Sequence, residues 1–287
     1  MWIAHINIGH KKLLLLSSLF TITLVSALRL NPIFVPPVIA ASAVSLGCIV
    51  YLAYTNGVFA RRFIFSVGNQ TYEIREYFSF SKPKDSYRAI IHLDSGGVVS
   101  SIYLTKRRAW KYLDIIRDTF EKLGRQTAQN ALVLGGGGGA LGYLLVRDGF
   151  ARRVDVVEKS KKMIHIAKHR FLPHPIPKNV HFILQDAFDY LQNCICAHDI
   201  IIIDLFNGSA PSKLVASSDF LGLVKRSVAI KGAVIINFGY HGTYDLHDII
   251  SLYKSALRPF RVYLWNGSVI GIATKRTLSG IIGMRII

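Results

Sequence analysis

Acidic residues that directly follow apolar runs are the side chains in this sequence best suited to chemistry. Asp204 ends a run of four isoleucines, Glu158 follows Arg153–Val157, and Asp186 comes two residues after Val180–Leu184. If these runs are parallel strands, their carboxyl ends meet at one edge of a sheet, where open α/β sheets bind ligands. Carboxylates at that edge can accept hydrogen bonds from a nucleoside, and one of them can take a proton from a substrate.

A run of five glycines lies upstream of these acids. The stretch from Ala131 to Gly142 reads ALVLGGGGGALG, and the periodic run Ala140–Phe150 predicts a helix after the glycines. Glycines let the backbone turn sharply and let a ligand approach without Cβ atoms in the way. The helix N-terminus offers N–H groups to an electronegative ligand. With Glu158 about twenty residues further on, the pattern predicts a nucleotide site. Its glycines are Gly135, Gly136, Gly137 and Gly139.

Each acid also has a structural interpretation. Glu158 could be a strand-end charge beside the next helix. Asp186 could cap the helix predicted at Ala187–Gln192, although a capping aspartate can also contact a ligand. Asp204 is the strongest candidate, because it terminates a fully apolar strand just before the irregular segment Leu205–Pro211.

Strands and helices alternate from Ala131 onward, which predicts a parallel sheet with helices on both faces. The predicted strands are Ala131–Leu134, Arg153–Val157, Val180–Leu184, Asp199–Asp204 and Ala233–Phe238, and the predicted helices are Ala140–Arg147, Lys161–His169, Ala187–Gln192, Ser218–Ala229 and Tyr244–Leu257. The end differs, because Phe260–Trp265 and Ser268–Thr274 flank Asn266-Gly267, a strong hairpin signal. A parallel sheet that closes in an antiparallel hairpin is the order of class I S-adenosylmethionine-dependent transferases. We therefore expect an α/β, Rossmann-like class I methyltransferase fold over residues 124–287.

A β-rich stretch precedes that domain. Short strands are predicted at Phe63–Phe65, Thr71–Arg75, Arg88–Leu93 and Val98–Tyr103, and an amphipathic helix at Ala109–Leu123. Turn residues separate the strands. Residues 61–123 are therefore predicted to form a small β module with a connecting helix.

Two long uncharged segments open the chain. Lys11-Lys12 precedes Leu13–Leu28, and Ile33–Tyr54 follows after a turn at Asn31-Pro32. Each is near the length that crosses a bilayer, so residues 1–60 are predicted to be an anchor of two transmembrane helices. Basic residues at both outer ends predict that the domains after residue 60 lie in the cytoplasm, at the inner or plasma membrane of a bacterium. A cleaved signal peptide is the alternative for the first segment.

The net charge of +18 predicts a basic surface. Such a surface can lie near anionic lipid headgroups or attract an acidic substrate. Nucleic acid is not expected as a partner, because no recognisable nucleic-acid module accompanies the charge. Three cysteines cannot form a disulfide framework, which is typical of a reducing compartment. No metal is expected, because no set of ligating residues has a useful spacing.

Five segments together resemble the spermidine synthase (polyamine aminopropyltransferase) family and its relatives. They read GGGGGALG, VDVVEKS, LQDAFDYL, HDIIIIDLFNGSAP and SSDFLGLVKRSVAIKGAVIIN, and the resemblance covers about Phe63 to Thr274. It implies that the glycines cradle the amino-acid or aminopropyl part of S-adenosylmethionine or its decarboxylated form. It also implies that Glu158 binds the ribose and that Asp186 with Ala187 binds the adenine. Asp204 is expected both to contact the donor and to lie at the reacting centre.

The chain departs from this family on the acceptor side. Aminopropyl transfer needs a neutral amine, and the family's D-x-x-D stretch supplies a second acid as the usual proton acceptor. This chain has Asp204-Leu205-Phe206-Asn207 there, and an amide cannot act as that base. The family's Tyr-Gln pair and acidic stretch fall on Ser100-Ser101 and Lys106–Arg108. The sequence therefore predicts a transferase with Asp204 and Asn207 at its reacting centre and with little spermidine synthesis.

The sequence leaves four questions open. Aminopropyl transfer competes with methyl transfer, and the acceptor is an amine, an acidic molecule or a lipid-like molecule. The other class of function is a catalytically silent, nucleotide-binding scaffold at the membrane, although the retained glycines and acids favour an enzyme. Whether the chain forms a homodimer is also open.

Overall fold

The computed structural model describes residues 61–77, 86–104, 111–124, 126–208, 210–240, 245–265, 268–274 and 285–286. The predicted transmembrane hairpin at residues 1–60 lies outside this set, as do Lys106–Arg108 and the turn Asn266-Gly267. Within the described set, no helix is both long enough and apolar enough to cross a bilayer.

A small antiparallel sheet begins the described chain. Its strands pair in sequence order and are β1 (Arg61–Val67), β2 (Gln70–Tyr77), β3 (Tyr87–His92) and β4 (Val98–Tyr103). They lie where the sequence predicts strands, and β1 and β2 extend further than predicted. Phe65, Ile74 and Ile90 are buried on the inner face of this sheet. The helix α1 (Lys111–Lys122) follows.

An eight-stranded sheet forms the centre of the remaining chain. In chain order its strands are β5 (Ala128–Leu134), β6 (Ala151–Glu158), β7 (Val180–Leu184), β8 (His198–Ile203), β11 (Val228–Tyr240), β12 (Phe260–Trp265), β13 (Ser268–Thr274) and β14 (Arg285–Ile286). Between β8 and β11, the short strands β9 (Phe206–Asn207) and β10 (Ala210–Pro211) form a separate pair. The order across the large sheet is β14-β12-β13-β11-β8-β5-β6-β7. Strands β5 to β8 and β11 pair in parallel, whereas β13 runs antiparallel to β11 and β12 runs antiparallel to β13. The structure therefore has the predicted mostly parallel sheet that closes in an antiparallel hairpin.

Helices cover both faces of the large sheet. They are α2 (Ala140–Arg147), α3 (Lys161–Ile166), α4 (Ala187–Asn193), α5 (Ser218–Ser227) and α6 (His247–Ala256). Successive residues of β5 point to opposite faces, so Val133 joins one apolar core and Leu134 joins the other. The first core contains the small sheet, α1, α2 and α3, and the second contains α4, α5 and α6. The small sheet therefore packs on the α2–α3 side of the large sheet.

The helix predicted at Lys161–His169 changes its winding near its end. After α3 the chain continues as a π-helical turn, Ala167–Phe171. The Phe171 ring packs on the glycine loop, where a Cβ atom on Gly138 would lie 2.8 Å from it. The Phe171 carbonyl accepts a hydrogen bond of 3.0 Å from Arg88 Nη1 on β3. These tertiary contacts explain the departure, because they hold Phe171 between the small sheet and the glycine loop.

Candidate active site

The carboxyl ends of four neighbouring strands align in one row. Backbone pairing places Leu134 beside both Val157 and Ile203, and Ile203 beside Ile236. Each following residue therefore lies at the same level on the ligand-binding edge of the sheet. In order across that edge, the row is Asn237, Asp204, Gly135 and Glu158.

Gly135 lies directly against the backbone of Asp204. Its φ is +90°, a conformation that glycine adopts readily and other residues rarely adopt. A Cβ atom here would overlap the Asp204 carbonyl oxygen and would lie 2.8 Å from the carbonyl carbon. The Asp204 N–H donates to the Leu134 carbonyl oxygen at 2.9 Å. Glycine at position 135 therefore allows the loop and the backbone of Asp204 to lie in contact.

Glu158 fixes the middle of the glycine loop. Its Oε2 accepts a hydrogen bond from the Gly137 N–H at 3.0 Å, and its Oε1 accepts one from the Ser160 N–H at 2.8 Å. Burial raises the pKa of Glu158, and the two backbone donors partly oppose that rise. A carboxylate offers about four lone-pair positions. Glu158 therefore has acceptor capacity left for the two hydroxyls of a ribose.

Asp186 takes the structural role that its sequence context allows. It is the N-cap of α4, and its Oδ1 accepts a hydrogen bond from the Phe188 N–H at 2.8 Å. Ala187 begins α4 and is buried. Among the described residues nothing donates to Asp186 Oδ2, so a ligand amine could still bind there while the cap remains intact. Capping and ligand binding are compatible at this position.

Asp204 is held by Asn237, which is not among the site residues predicted from the sequence. Asn237 Nδ2 donates to Asp204 Oδ1 at 2.9 Å, and Asn237 Oδ1 accepts from the Gly239 N–H at 2.9 Å. The second bond orients the amide so that its nitrogen faces the acid. Burial of the carboxyl raises the pKa of Asp204 to about 6, and the bond from Asn237 partly opposes this rise. A carboxyl group with this pKa can accept a proton near neutral pH.

Asn207 lies outside the row. It ends β9 and pairs with Ala210 of β10, and the residue is exposed. Gly208 follows with a φ of +65°, and a Cβ atom on it would lie 4.0 Å from Gln70 Nε2 on β2. The short hairpin that carries Asn207 therefore reaches the small sheet. The region between this hairpin, Gln70 and the glycine loop is called the cleft below.

Side chains of β2 and β3 form the wall that faces this hairpin. The Tyr72 hydroxyl donates to Gln70 Oε1, and the Tyr72 ring meets the His92 ring edge-on at 5.1 Å between centroids. The pKa of Tyr72 is raised by burial and then by the negative charges of Glu158 and Asp94. The Ser95 N–H donates to His92 Nδ1 at 3.2 Å, so a neutral His92 carries its proton on Nε2. Tyr72 thus lies close enough to the candidate nucleoside site to respond to the charge of Glu158.

The predicted site residues are only partly brought together. Gly135, Glu158 and Asp204 share the row, and Asp186 follows the adjacent strand β7. The predicted acceptor positions Ser100 and Ser101 lie on β4, where Ser101 is buried. Asn237 could have been selected, because it ends the apolar run Ala233–Ile236 as Asp204 ends its own run. Gln70 and Tyr72 carry no comparable signal, because only the packing of the small sheet brings them to the cleft.

Comparisons with known proteins agree with this geometry. Residues 120–269, just over half of the chain, match the model of the spermine/spermidine synthase domain. The polyamine aminopropyltransferase of Thermoplasma acidophilum is 29% identical over 186 residues, which cover 59% of this chain and 67% of that protein. The match spans between about half and two thirds of the length of the curated aminopropyltransferases found.

Solved structures show the same fold at lower identity. A probable spermidine synthase from Corynebacterium glutamicum superposes with a TM-score of 0.60 at 17% identity, covering 76% of this chain and 81% of that one. Spermidine synthase from Thermotoga maritima gives a TM-score of 0.56 at 15% identity, covering 78% and 75%. These likenesses confirm the class I methyltransferase-like fold. Together with the match over residues 120–269, they lead to one conclusion: the chain belongs to the spermine/spermidine synthase family.

Proposed function

We propose that this chain is a membrane-anchored transferase that takes an aminopropyl group from decarboxylated S-adenosylmethionine and moves it to an amine. Family membership supports a donor of this kind. The observation that carries the proposal is Asp204, which lies beside the glycine loop, is oriented by Asn237 and has its pKa raised to about 6. A site built only to hold a nucleotide has no need of such a proton acceptor.

The described residues fit the proposed donor. The glycine loop lies at the edge of the sheet with Gly135, Gly136 and Gly137 partly exposed. Glu158 can accept from ribose hydroxyls, and Asp186 Oδ2 can accept from an adenine amine. When bound, the donor supplies an electrophilic carbon next to a sulfonium. Asp204 then accepts the proton of the incoming ammonium, and Asn237 keeps the carboxylate aimed at the cleft. General-base assistance of this kind is typically worth about 10²–10⁴ in rate.

Methyl transfer from intact S-adenosylmethionine is the second candidate. It is favoured by Asn207, which stands where the family has its second acid and cannot take a proton. Calorimetry with each form of the donor tests the choice. Tighter binding of the decarboxylated form supports aminopropyl transfer, and tighter binding of the intact form supports methyl transfer. Binding of neither form would overturn the donor assignment, and binding without any turnover would favour a silent scaffold.

The membrane location is the other part of the proposal. The uncharged segments Leu13–Leu28 and Ile33–Tyr54 support an anchor over residues 1–60. The basic residues at their outer ends support a cytoplasmic position for the small β module, residues 61–123, and for the catalytic domain, residues 124–287.

Glu158→Gln should weaken donor binding by about tenfold or more. The substitution keeps the size of the side chain but removes the charge that accepts hydrogen bonds from the ribose, and bonds to a charged group are worth roughly 1.5–3 kcal/mol. Calorimetry measures the change in Kd. Asp189→Asn is the matched control, because Asp189 is an exposed acid in the first turn of α4. Equal affinity in Glu158→Gln and the unmodified chain would refute the ribose assignment.

Putrescine should be a poor acceptor for the unmodified chain. Asn207 stands where the family has its second acid, so a diamine lacks that proton acceptor. Asn207→Asp should raise spermidine formation severalfold without reaching the level of a complete family site, since general-base assistance spans about 10²–10⁴. Asn179→Asp, at another exposed asparagine, serves as the control. Rapid spermidine synthesis by the unmodified chain, measured by product chromatography, would contradict the prediction.

A further inference from the structure

A strongly basic segment begins one residue after Glu158. Residues 159–178, called the basic segment below, contain six lysines and arginines, three histidines and no acid. The segment comprises α3, the π-helical turn and the loop that leads to β7. None of these cations is used by the proposed reaction. Their accumulation in one segment therefore needs a separate explanation.

The cations of the helical part form one outward face. Lys161, Lys162 and His165 are exposed, whereas Met163 and Ile166 are buried in the core. The rings of His165 and His169 lie 4.4 Å apart, so the next turn continues the same face. The face is therefore exposed over both turns, with Lys161 and Lys162 supplying its charge in the first turn. Its opposite side holds the helix on the large sheet.

The positive charge of this face is not balanced locally. Within the described part of the chain, no carboxylate forms a salt bridge with the six lysines and arginines of the basic segment. Lys168 Nζ lies 5.1 Å from the centroid of the Phe182 ring instead. Lys159 interacts electrostatically with Glu158, so the field of this face comes mainly from the other cations, and such a field attracts an anionic surface.

The distance between this face and the predicted membrane anchor indicates which anionic surface the face can reach. Arg170 Cζ lies 5.5 Å from the centroid of the Phe63 ring on β1. Phe63 follows the second apolar segment, which ends at Tyr54, by nine residues. Nine residues span at most about 30 Å when fully extended. A chain anchored through that segment therefore keeps the basic segment within reach of the bilayer surface.

From this arrangement we infer that the basic segment docks on the anionic headgroups of the membrane that holds the chain. The inference rests on the membrane part of the proposed function. Attraction of lysine and arginine to anionic lipid acts only within about a Debye length of the surface, so docking brings the face into close contact with headgroups. Because the segment starts next to Glu158, docking also sets the orientation of the candidate donor site relative to the bilayer.

Amine labelling of the full chain tests this contact. The protein is reconstituted in vesicles of phosphatidylcholine, with and without about a third of phosphatidylglycerol, an anionic fraction that attracts basic segments. Acetylation by a water-soluble reagent is then measured at each lysine by mass spectrometry. Labelling of Lys159, Lys161 and Lys162 should fall severalfold in the anionic vesicles. It should recover at about 1 M salt, where the Debye length is about 3 Å.

Exposed lysines outside the basic segment supply an internal control. Lys225, Lys231 and Lys254 are exposed and belong to α5, β11 and α6. Their labelling should be the same in both kinds of vesicle. Equal protection of both groups, or protection of neither, would overturn the inference. Protection of the basic segment by RNA in the absence of lipid would overturn it as well, in favour of a nucleic-acid partner.

The outcomes also separate this inference from the proposed function. Association with both kinds of vesicle without lipid-dependent protection would support the anchor and refute the docking. Association with anionic vesicles alone would support the docking and refute the anchor. Donor binding by calorimetry in the same vesicles reports on the catalytic proposal, and Lys161→Gln with Lys162→Gln should leave that binding unchanged.

Discussion

Asp204→Asn should lower the rate of group transfer to an amine by about a hundredfold to ten-thousandfold. The asparagine amide keeps the shape of the side chain and one oxygen acceptor for Asn237, but it cannot take a proton. Donor binding should change little, because Asp204 acts on the acceptor. Initial rates with saturating donor and a panel of amines measure the effect.

Asp199→Asn is the matched control for this experiment. Asp199 lies near the opposite end of β8, where its Oδ2 accepts from the Gln129 N–H at 2.8 Å. This variant changes the charge of the same strand without touching the row of site residues. Both variants must be folded for this comparison. If Asp204→Asn then reacts as fast as the unmodified chain, Asp204 does not act in the reaction.

The pH dependence of the rate should follow the protonation of Asp204. Burial raises the pKa of Asp204 to about 6, so its carboxylate form prevails above that pH. The rate should therefore level off above about pH 6 and fall about tenfold per pH unit below it. The contribution of Asp204 to the free energy of unfolding changes with pH in the opposite direction to the rate. The folded chain holds this proton more tightly than the unfolded chain, so the contribution of Asp204 to stability declines as the pH rises from about 4 to about 6.

Gly135→Ala should abolish donor binding and lower the free energy of unfolding by about 3 kcal/mol or more. Two costs combine at this position. The left-handed backbone costs a residue with a Cβ atom about 1–2 kcal/mol. The added carbon would also overlap the carbonyl of Asp204, which is backbone and cannot rotate away. The loop and the acid would have to separate.

Gly149→Ala measures the cost of the left-handed backbone by itself. Gly149 has a φ of +80°, and a Cβ atom on it would meet nothing within 4 Å. This variant should therefore lose only about 1–2 kcal/mol and should bind the donor normally. Chemical unfolding and calorimetry on the two variants give the comparison. Equal effects of the two substitutions would show that contact between Gly135 and Asp204 is not needed for the site.

The sequence alone determined most of the elements that hold the site. Strand β7, helix α2 and the hairpin of β12 and β13 have the predicted bounds, because strong local signals specify them: an apolar run, a glycine-started periodic run and an Asn-Gly turn. The glycine run and the acids after apolar strands were also visible. Their meeting at one edge follows from parallel pairing, which the alternation of strands and helices already predicts.

Only the tertiary structure decided how those residues are used. The pKa of Asp204 rises because surrounding elements bury its carboxyl, and burial is not a property of the local sequence. The bond from Asn237 depends on the register between β8 and β11, which are separated by more than twenty residues. Gln70 and Tyr72 reach the cleft because the small sheet packs beside the glycine loop. The π-helical turn forms because Phe171 is held between Arg88 and Gly138, and a local pattern cannot encode contacts between residues so far apart in the chain.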